Sequence, residues 1–464
     1  MNNHASPTAE PEITAALIQR HDRPGPRYTS YPPANVWRDD FGEAPYREAL
    51  TRAAGSANPL SLYVHIPFCE ARCAFCGCNV IISRKPGVED TYLDYVEQEL
   101  GMLAEYVGHR PLAQLHWGGG TPTFLSPDRI ERLFKAIQDR FAFVDGAEIA
   151  LEVDPRVTTA EQVKLLAELG FNRVSMGVQD FDPEVQEAIG RHQTEAQTRG
   201  LFDSLREAGI HGVNVDLVYG LPGQTTEKWE WTLGIINELR PDRLAVYSYA
   251  HLPEKLHNQR RIEDSALPSQ DTKLALLVLA RKRLMENGYR AIGMDHFALP
   301  GDELTRAMDE RRLRRNFMGY AVAPGDGMIA AGVSAISDVG GVYAQNAKKL
   351  STYYQALDNG KLPIHAGHVL SEDDLIRRWV IHELMCNFVV DYAEFKERWG
   401  HSFSNYFAAE RDDLEALASD EFIRQDEDRL NVLPLGRVFV RNVAMIFDAC
   451  LRQRAGELTY SRTV

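Results

Sequence analysis

Positive charge is scarce in this chain. Its 464 residues carry 51 Lys and Arg against 66 Asp and Glu, a net charge of −15. Gripping a nucleic-acid backbone needs a basic face, so the deficit argues against a nucleic-acid partner. It leaves open a small anionic substrate, which feels local arginines more than net charge. Long apolar runs are missing too. None approaches the length of a membrane span, and no membrane partner is expected. The leading stretch, Met1 to Glu12, is polar and lacks the apolar region of a secretory signal. A cytoplasmic location is the expectation. Cysteine is the third shortage: there are six, and Cys386 and Cys450 stand alone. A disulfide framework is not expected from so few in a reducing compartment. The chain is 44% hydrophobic and 25% charged, as in soluble globular proteins with an ample core. The length suits one large domain or two to three smaller ones.

The other four cysteines crowd into Tyr63-Val-His-Ile-Pro-Phe-Cys69-Glu-Ala-Arg-Cys73-Ala-Phe-Cys76-Gly-Cys78-Asn79. Leu62 to Ile66 reads as a buried strand ending at Pro67, with the cysteines in the loop behind it. The C-x3-C-x2-C spacing of Cys69, Cys73 and Cys76 lets one compact loop aim three sulfurs at a common point. Three thiolates are one short of the usual closed set for an iron–sulfur cluster, which leaves one iron free. Closure by Cys78 would instead give four thiolates, the set of a structural zinc site. The loop alone leaves both open.

Downstream, helix and strand alternate. Val88 to Tyr106 has apolar residues at helical spacing. The strand Leu112 to Trp117 runs into Gly118-Gly-Gly120-Thr-Pro-Thr123, and a helix opens near Pro127. Glycine lets backbone approach a ligand closely, and Pro suits a first helical turn. A tight strand-to-helix connection would look the same. Further strands are expected at Glu148–Val153, Arg173–Val178, Val213–Tyr219 and Arg243–Tyr249. Helical segments trail them at Thr159–Leu169, Pro183–Ala208, Thr226–Leu239 and Gln270–Asn287. Counted from Leu62, these make six βα units, hence a parallel sheet whose strand C-termini form the functional rim. Cys69, Gly119, Glu152, Gln179, Asp216 and Ala250 fall on that rim. The expected fold is α/β, a partial (β/α)6 TIM-like barrel with a mainly helical C-terminal domain.

Three stretches flank the barrel. Residues 1 to about 20 read as a disordered lead-in with a short helix at Ile13–Gln19. Arg23 to Pro33 follows as an extended, Pro-rich arm bearing Arg23, Arg27, Tyr28 and Tyr31. Residues 288–365 are less regular, and Arg311, Arg312, Arg314 and Arg315 read as a solvated face. Beyond Gly367, Ser371 and Asp374 mark a helix start. Helices at Ser371–Cys386, Tyr392–Gly400, Asn405–Ala418 and Leu435–Arg454 enclose a small hairpin, as in a winged-helix module. Its turn carries Asp426, Glu427 and Asp428, which suits a cover rather than a DNA reader. The expected limits are 1–55 for the arm and lead-in, 56–366 for the barrel with a substrate-covering extension, and 367–464 for the C-terminal domain.

The cysteine loop, with Phe75 inside it, resembles the radical S-adenosylmethionine superfamily. From Arg23 onward the chain resembles one family within it, the oxygen-independent coproporphyrinogen III oxidases. The resemblance rests on Pro26-Arg-Tyr-Thr-Ser-Tyr-Pro32, the cysteine loop with Gly77-Cys78-Asn79, and Leu115-His-Trp-Gly-Gly-Gly-Thr-Pro-Thr123. It continues in Glu152-Val-Asp-Pro, Ser175-Met-Gly-Val-Gln-Asp, Asp216-Leu-Val-Tyr-Gly-Leu-Pro, Gly293-Met-Asp-His-Phe and Arg315-Asn-Phe.

The resemblance implies a reaction and its cofactors. The propionates of rings A and B of coproporphyrinogen III become vinyl groups without O2, giving protoporphyrinogen IX. A 5′-deoxyadenosyl radical takes a hydrogen from the propionate β-carbon, CO2 leaves, and one electron passes to an acceptor of unknown identity. A [4Fe–4S] cluster and two S-adenosylmethionine sites are implied, with a cytosolic one-electron donor such as flavodoxin and a monomeric state. By the same resemblance, Cys69, Cys73 and Cys76 hold the cluster. Tyr63, Gly119, Glu152 and Ile336 match contacts to the first S-adenosylmethionine. Phe75, Gly120, Thr121, Gln179, Arg191, Asp216 and Ala250 match contacts to the second. The residue types agree: carboxylates offset a sulfonium and accept hydrogen bonds, and arginine forks onto a carboxylate. Taken singly, Glu152 and Asp216 could equally be helix caps and Arg191 a surface ion pair. The competing readings are a related haem-binding chaperone and a haem-modifying radical enzyme. The chaperones generally lack the fourth cysteine and the Arg23–Pro33 segment, both present here.

Overall fold

The computed structural model describes residues 13–322, 325–454 and 460–463. The expected lead-in over residues 1–12 lies outside them. Six strands run in parallel order: β1 (Leu60–Ile66), β2 (Leu112–Gly119), β3 (Phe143–Val153), β4 (Arg173–Gln179), β5 (Gly212–Tyr219) and β6 (Arg243–Ser248). Helices return between them, as parallel pairing demands. The partial barrel expected from the six βα units is the one observed.

Side-chain alternation sorts the two faces of this sheet. On β4, Val174, Met176 and Val178 are buried against the helices, and Ser175, Gly177 and Gln179 face inward. On β5, Val213, Val215 and Leu217 are buried the same way, leaving Asn214 and Asp216 inside. The apolar face packs into one continuous core with Trp117, Phe134, Phe171 and Trp229. The barrel interior is therefore polar, which lets it hold a charged ligand.

Local signals place the elements. Thr159 with Gln162, and Thr194 with Gln197, form capping boxes at the helices Ala160–Glu168 and Glu195–Glu207. The helical segments expected over Pro183–Ala208 are two helices, Pro183–Ile189 and Glu195–Glu207, parted where Gly190 turns left-handed at φ 64°.

Residues 290–369 are more regular than their sequence suggests. Met328–Ala331 pairs parallel with β1, and Ile336–Val339, Val342–Asn346 and Ile364–Val369 extend that edge antiparallel. His296–Ala298 and Arg290–Ile292 extend the opposite edge from β6. Several of these strands are only three or four residues long, too short for an alternation to show. The arginine run departs from a solvated face at one position: Arg315 is buried, 3.7 Å from Asp295, with its guanidinium over the Tyr320 ring.

In the C-terminal region, Glu372–Asn387 is the long helix, opened by a Ser371 capping box with Asp374. The expected hairpin is a three-stranded antiparallel sheet, Val389–Asp391, Arg429–Val432 and Ile423–Gln425. The expected last helix, Leu435–Arg454, is three short helices, Pro434–Val438, Val440–Met445 and Ala449–Gln453, broken at Phe439 and Asp448.

The arm and the described part of the lead-in, from Ile13 on, belong to this C-terminal core. Ala15–His21 is a helix, and Ile13, Leu17 and Ile18 pack on the C-terminal cluster. Tyr28 and Tyr31 are each 2% exposed. The Tyr28 hydroxyl donates to Asp448 at 3.0 Å, and the Tyr31 hydroxyl accepts from the Ala449 N–H. Arg441 ties down the carbonyls of Gly25 and Pro26. The arm is thus a structural strap, not a free extended segment.

Candidate functional site

The C-terminal ends of the six strands surround a cavity of about 640 Å³. Its wall contains Cys69, Cys73 and Cys76, with Phe75 between them. The loop is held by backbone and side-chain bonds rather than by regular structure. Asn258 donates to the carbonyls of Cys73, Ala74 and Cys76 at 3.1, 3.0 and 2.9 Å, and Gln259 donates to Phe75 at 3.0 Å. Burial pushes the Cys69 thiol up to about 11. The Cys76 thiol is drawn down by a hydrogen bond from the Cys78 thiol. A thiolate at Cys76 is what a metal ligand requires.

The glycine turn closes one side. Gly120 donates to Ile66 and Thr121 to Phe68, at 2.7 and 2.8 Å, so this turn lies directly on the base of the cysteine loop. A Cβ on Gly120 would stand 2.6 Å from the Phe68 carbonyl oxygen. Gly119 has φ +112°, and a Cβ there would stand 2.4 Å from the His65 ring. Both positions demand glycine. The Thr121 hydroxyl lies 3.5 Å from the Cys69 sulfur.

Carboxylates and an arginine line the opposite wall. Glu152, at the end of β3, accepts from the Gly119 N–H at 3.1 Å and lies 3.7 Å from His116 Nε2. Burial pushes the Glu152 carboxyl up, but His116 and the Gly119 N–H outweigh it and hold the group below its usual range. Asp216, on β5, accepts from Ser175 Oγ at 3.0 Å and Asn214 Nδ2 at 2.8 Å. Burial, then the nearby Glu152 charge, pushes it up to about 6. Arg191 is buried, pairs with Asp154 at 3.0 Å and donates to the Gly177 carbonyl. Its Nε is buried without a hydrogen-bond partner among the described residues. Gln179 (φ +71°) and Ala250 complete the rim. Beneath Glu152 and Asp216 a narrower polar chamber of about 100 Å³ continues down the barrel past Met318 and Ala321.

The structure therefore brings the expected rim residues into one cavity, with two exceptions. Tyr63 stands one layer back, stacked on His116 and hydrogen-bonded to His65 Nδ1 at 3.1 Å. Ile336 packs beside Trp37, Tyr343 and Leu370, outside the cavity lining. Arg27, singled out on the arm, also lines it, as do Arg156, Tyr247 and Gln259, which the sequence did not single out. Arg27 comes from the arm, donating to the Ser248 carbonyl at 3.1 Å and lying 3.7 Å from Asp295. Asn258 and Gln259 sit in an irregular loop, where no periodicity or motif marks them.

The donor set fits a cluster better than a single ion. Among the described residues, no three His, Cys, Asp or Glu groups converge closely enough to hold one metal ion. A four-iron cluster spreads its irons, each taking one thiolate, so three sulfurs on one wall match it. The glycine cradle, the anionic wall and the orphaned Arg191 Nε beside the sulfurs suit a zwitterionic, cationic-sulfonium ligand.

Comparison with known proteins agrees with this chemistry. Residues 63–235 match the radical SAM superfamily, and residues 370–439 match the HemN C-terminal domain. The chain is 46% identical to the oxygen-independent coproporphyrinogen III oxidase of Escherichia coli over 449 residues, 97% of this chain and 98% of that protein. It is 41% identical to the oxidase of the same name from Synechocystis, covering 98% of both. The solved E. coli coproporphyrinogen III oxidase, described as a radical SAM enzyme, superposes with a TM-score of 0.90 at 45% identity, covering 95% of this chain and 99% of that one. The chain belongs to the oxygen-independent coproporphyrinogen III oxidases, a family of radical SAM enzymes.

Proposed function

We propose that this chain converts coproporphyrinogen III to protoporphyrinogen IX without O2, turning the propionates of rings A and B into vinyl groups. The observation that carries the reading is the convergence of three cysteine sulfurs, a glycine cradle and a carboxylate wall on one cavity at the strand C-termini. Cys69, Cys73 and Cys76 would hold a [4Fe–4S] cluster, and Gly119, Gly120, Thr121, Glu152, Gln179, Arg191, Asp216 and Ala250 would hold S-adenosylmethionine. When bound, these groups would supply the radical chemistry that takes a hydrogen atom from the propionate β-carbon.

The chain's own residues do the rest. Glu152 and Asp216 place negative charge where a sulfonium must sit, and accept hydrogen bonds from hydroxyl or amino groups. Arg27, at the cavity wall, offers a fork-shaped cation to a propionate that is retained. Arg27 brings the strap to the cavity wall, where it helps limit water and stray hydrogen donors at the reacting carbon. CO2 leaves with the loss of one electron to an acceptor. In this reading the protein works as a monomer in the cytoplasm, with a flavodoxin-type one-electron donor. Among the described residues, no helix is long and apolar enough to cross a membrane.

Anaerobic incubation with coproporphyrinogen III, followed by HPLC of the porphyrins, tests the proposal. A vinyl-bearing product is expected. Retention of haem without turnover would select a chaperone instead.

A further inference from the structure

The cysteine loop is also a surface feature. Cys78 is exposed, and Ile82, a few residues on, is 45% exposed, one of few large apolar side chains so placed. Residues 67–87 carry Arg72, Arg84 and Lys85 against the single carboxylate Glu70. Two further elements add cations at the same place. Arg261 donates to the Arg72 carbonyl, and Arg72 in turn donates to the Cys78 carbonyl at 3.4 Å. Asn79 donates to the carbonyl of Lys348 at 3.1 Å, which sets Lys348 and Lys349 beside the loop. All six cations are exposed. None forms an ion pair among the described residues. On a chain with a net charge of −15, a cluster of unpaired cations around one exposed loop is out of character.

Elsewhere, exposed cations are often spent on neighbours, as in Arg132 with Asp94 and Lys135 with Glu131. Here no carboxylate pairs with them; Arg72 and Arg261 donate only to backbone carbonyls, so their charge is not cancelled at the surface. Through these bonds they gather around the loop that also carries Cys69, Cys73 and Cys76. We infer that this face is the docking surface for an acidic one-electron carrier protein. The inference rests on the proposed function, which requires electrons to reach the cysteine loop. The partner gives up one electron, the cluster takes one, and no proton or group moves. Cationic rims of this kind set encounter rate and orientation more than final affinity, and electron-transfer partners bury little surface. The lone Ile82 in a charged ring matches such a small contact.

The test uses the full-length holoenzyme, prepared anaerobically, and purified flavodoxin in its fully reduced form as the probe. The charge-reversed variant is Arg84→Glu, Lys85→Glu, Lys348→Glu and Lys349→Glu combined, none of which lines the cavity. Arg411→Glu, on the C-terminal domain, is the control. Stopped-flow absorbance follows cluster reduction across a salt series. The parent's second-order rate should fall as salt rises. At low salt the variant should fall at least about tenfold, and the control should match the parent. Reduction by dithionite, which needs no docking, should be equal in all three. Equal flavodoxin-driven rates in parent and variant would overturn the inference, as would a salt-independent rate. A variant that loses only binding to anionic phospholipid vesicles would overturn it too. If the cluster is reduced through this face yet no vinyl product forms, the oxidase reading fails and the docking surface stands.

Discussion

Glu152 ends β3 with its carboxylate on the cavity wall, held by the Gly119 N–H and His116 and kept ionised there. A carboxylate kept charged in such a place is set to meet a cation. Glu152→Ala should weaken S-adenosylmethionine binding by about 1.5–3 kcal/mol, the worth of a charge-assisted hydrogen bond, with iron content unchanged. Anaerobic equilibrium binding and iron analysis check both halves. Asp216 behaves oppositely. Its carboxyl is pushed up to about 6 by burial and by Glu152, against about 3.9 for an unfolded aspartate. Between those values the folded chain holds a proton that the unfolded chain has released. Ionising Asp216 therefore costs the ligand-free protein stability as pH rises from about 4 to 6. A cationic sulfonium reverses this by favouring the ionised form. S-adenosylmethionine should therefore bind more weakly below pH 6, with proton release on binding, measurable by calorimetry in two buffers. Asp216→Asn should abolish the proton release.

At the scale of elements, the glycine turn and the cysteine loop form one unit, because Gly120 and Thr121 hydrogen-bond to the backbone of Ile66 and Phe68. Gly120→Ala sets a Cβ 2.6 Å from the Phe68 carbonyl oxygen, a backbone atom that cannot swing aside. Overpacking of this kind costs roughly 1–3 kcal/mol. The variant should retain less iron per chain, with secondary structure by circular dichroism unchanged. The strap behaves as an element of the core. On sequence it reads as an extended, Pro-rich arm, yet Tyr28 and Tyr31 are buried among C-terminal side chains. Tyr28→Ala should cost roughly 3–5 kcal/mol, as for other buried aromatics, seen as a shifted denaturation midpoint. A surface-linker value within about 0.5 kcal/mol would contradict the packing. Arg27→Ala, by contrast, spares the buried tyrosines and removes a cavity-wall cation with its bond to the Ser248 carbonyl, and should raise the KM for coproporphyrinogen III.

For the whole molecule, what sequence could say depends on the range of the interactions involved. The six βα units were legible because each strand carries an apolar face long enough to alternate, as on β4 and β5. The rim followed, since strand ends in a parallel sheet converge on one side. Most strands between Arg290 and Val369 were not legible, because a strand of three or four residues exists through its partner rather than its own pattern. Asn258 and Gln259 were missed for the same reason: their role is to bond carbonyls far away in the chain. The tyrosines of the strap showed the right residue types, but nothing local says which domain buries them. Ile336 was expected at the first S-adenosylmethionine and lies against Trp37 and Tyr343 instead of in the cavity lining.

If one cavity joins a cysteine-held cluster to the oxidation of two propionates, turnover must couple the two. The most direct test is anaerobic turnover with coproporphyrinogen III, counting vinyl groups by HPLC and mass spectrometry against S-adenosylmethionine consumed. The account predicts two vinyl groups per porphyrinogen and one S-adenosylmethionine spent for each. It also predicts no product from Cys69→Ser, Cys73→Ser or Cys76→Ser protein, which should lack iron. Unaltered propionates after reductive cleavage of S-adenosylmethionine by the iron-loaded parent would contradict it.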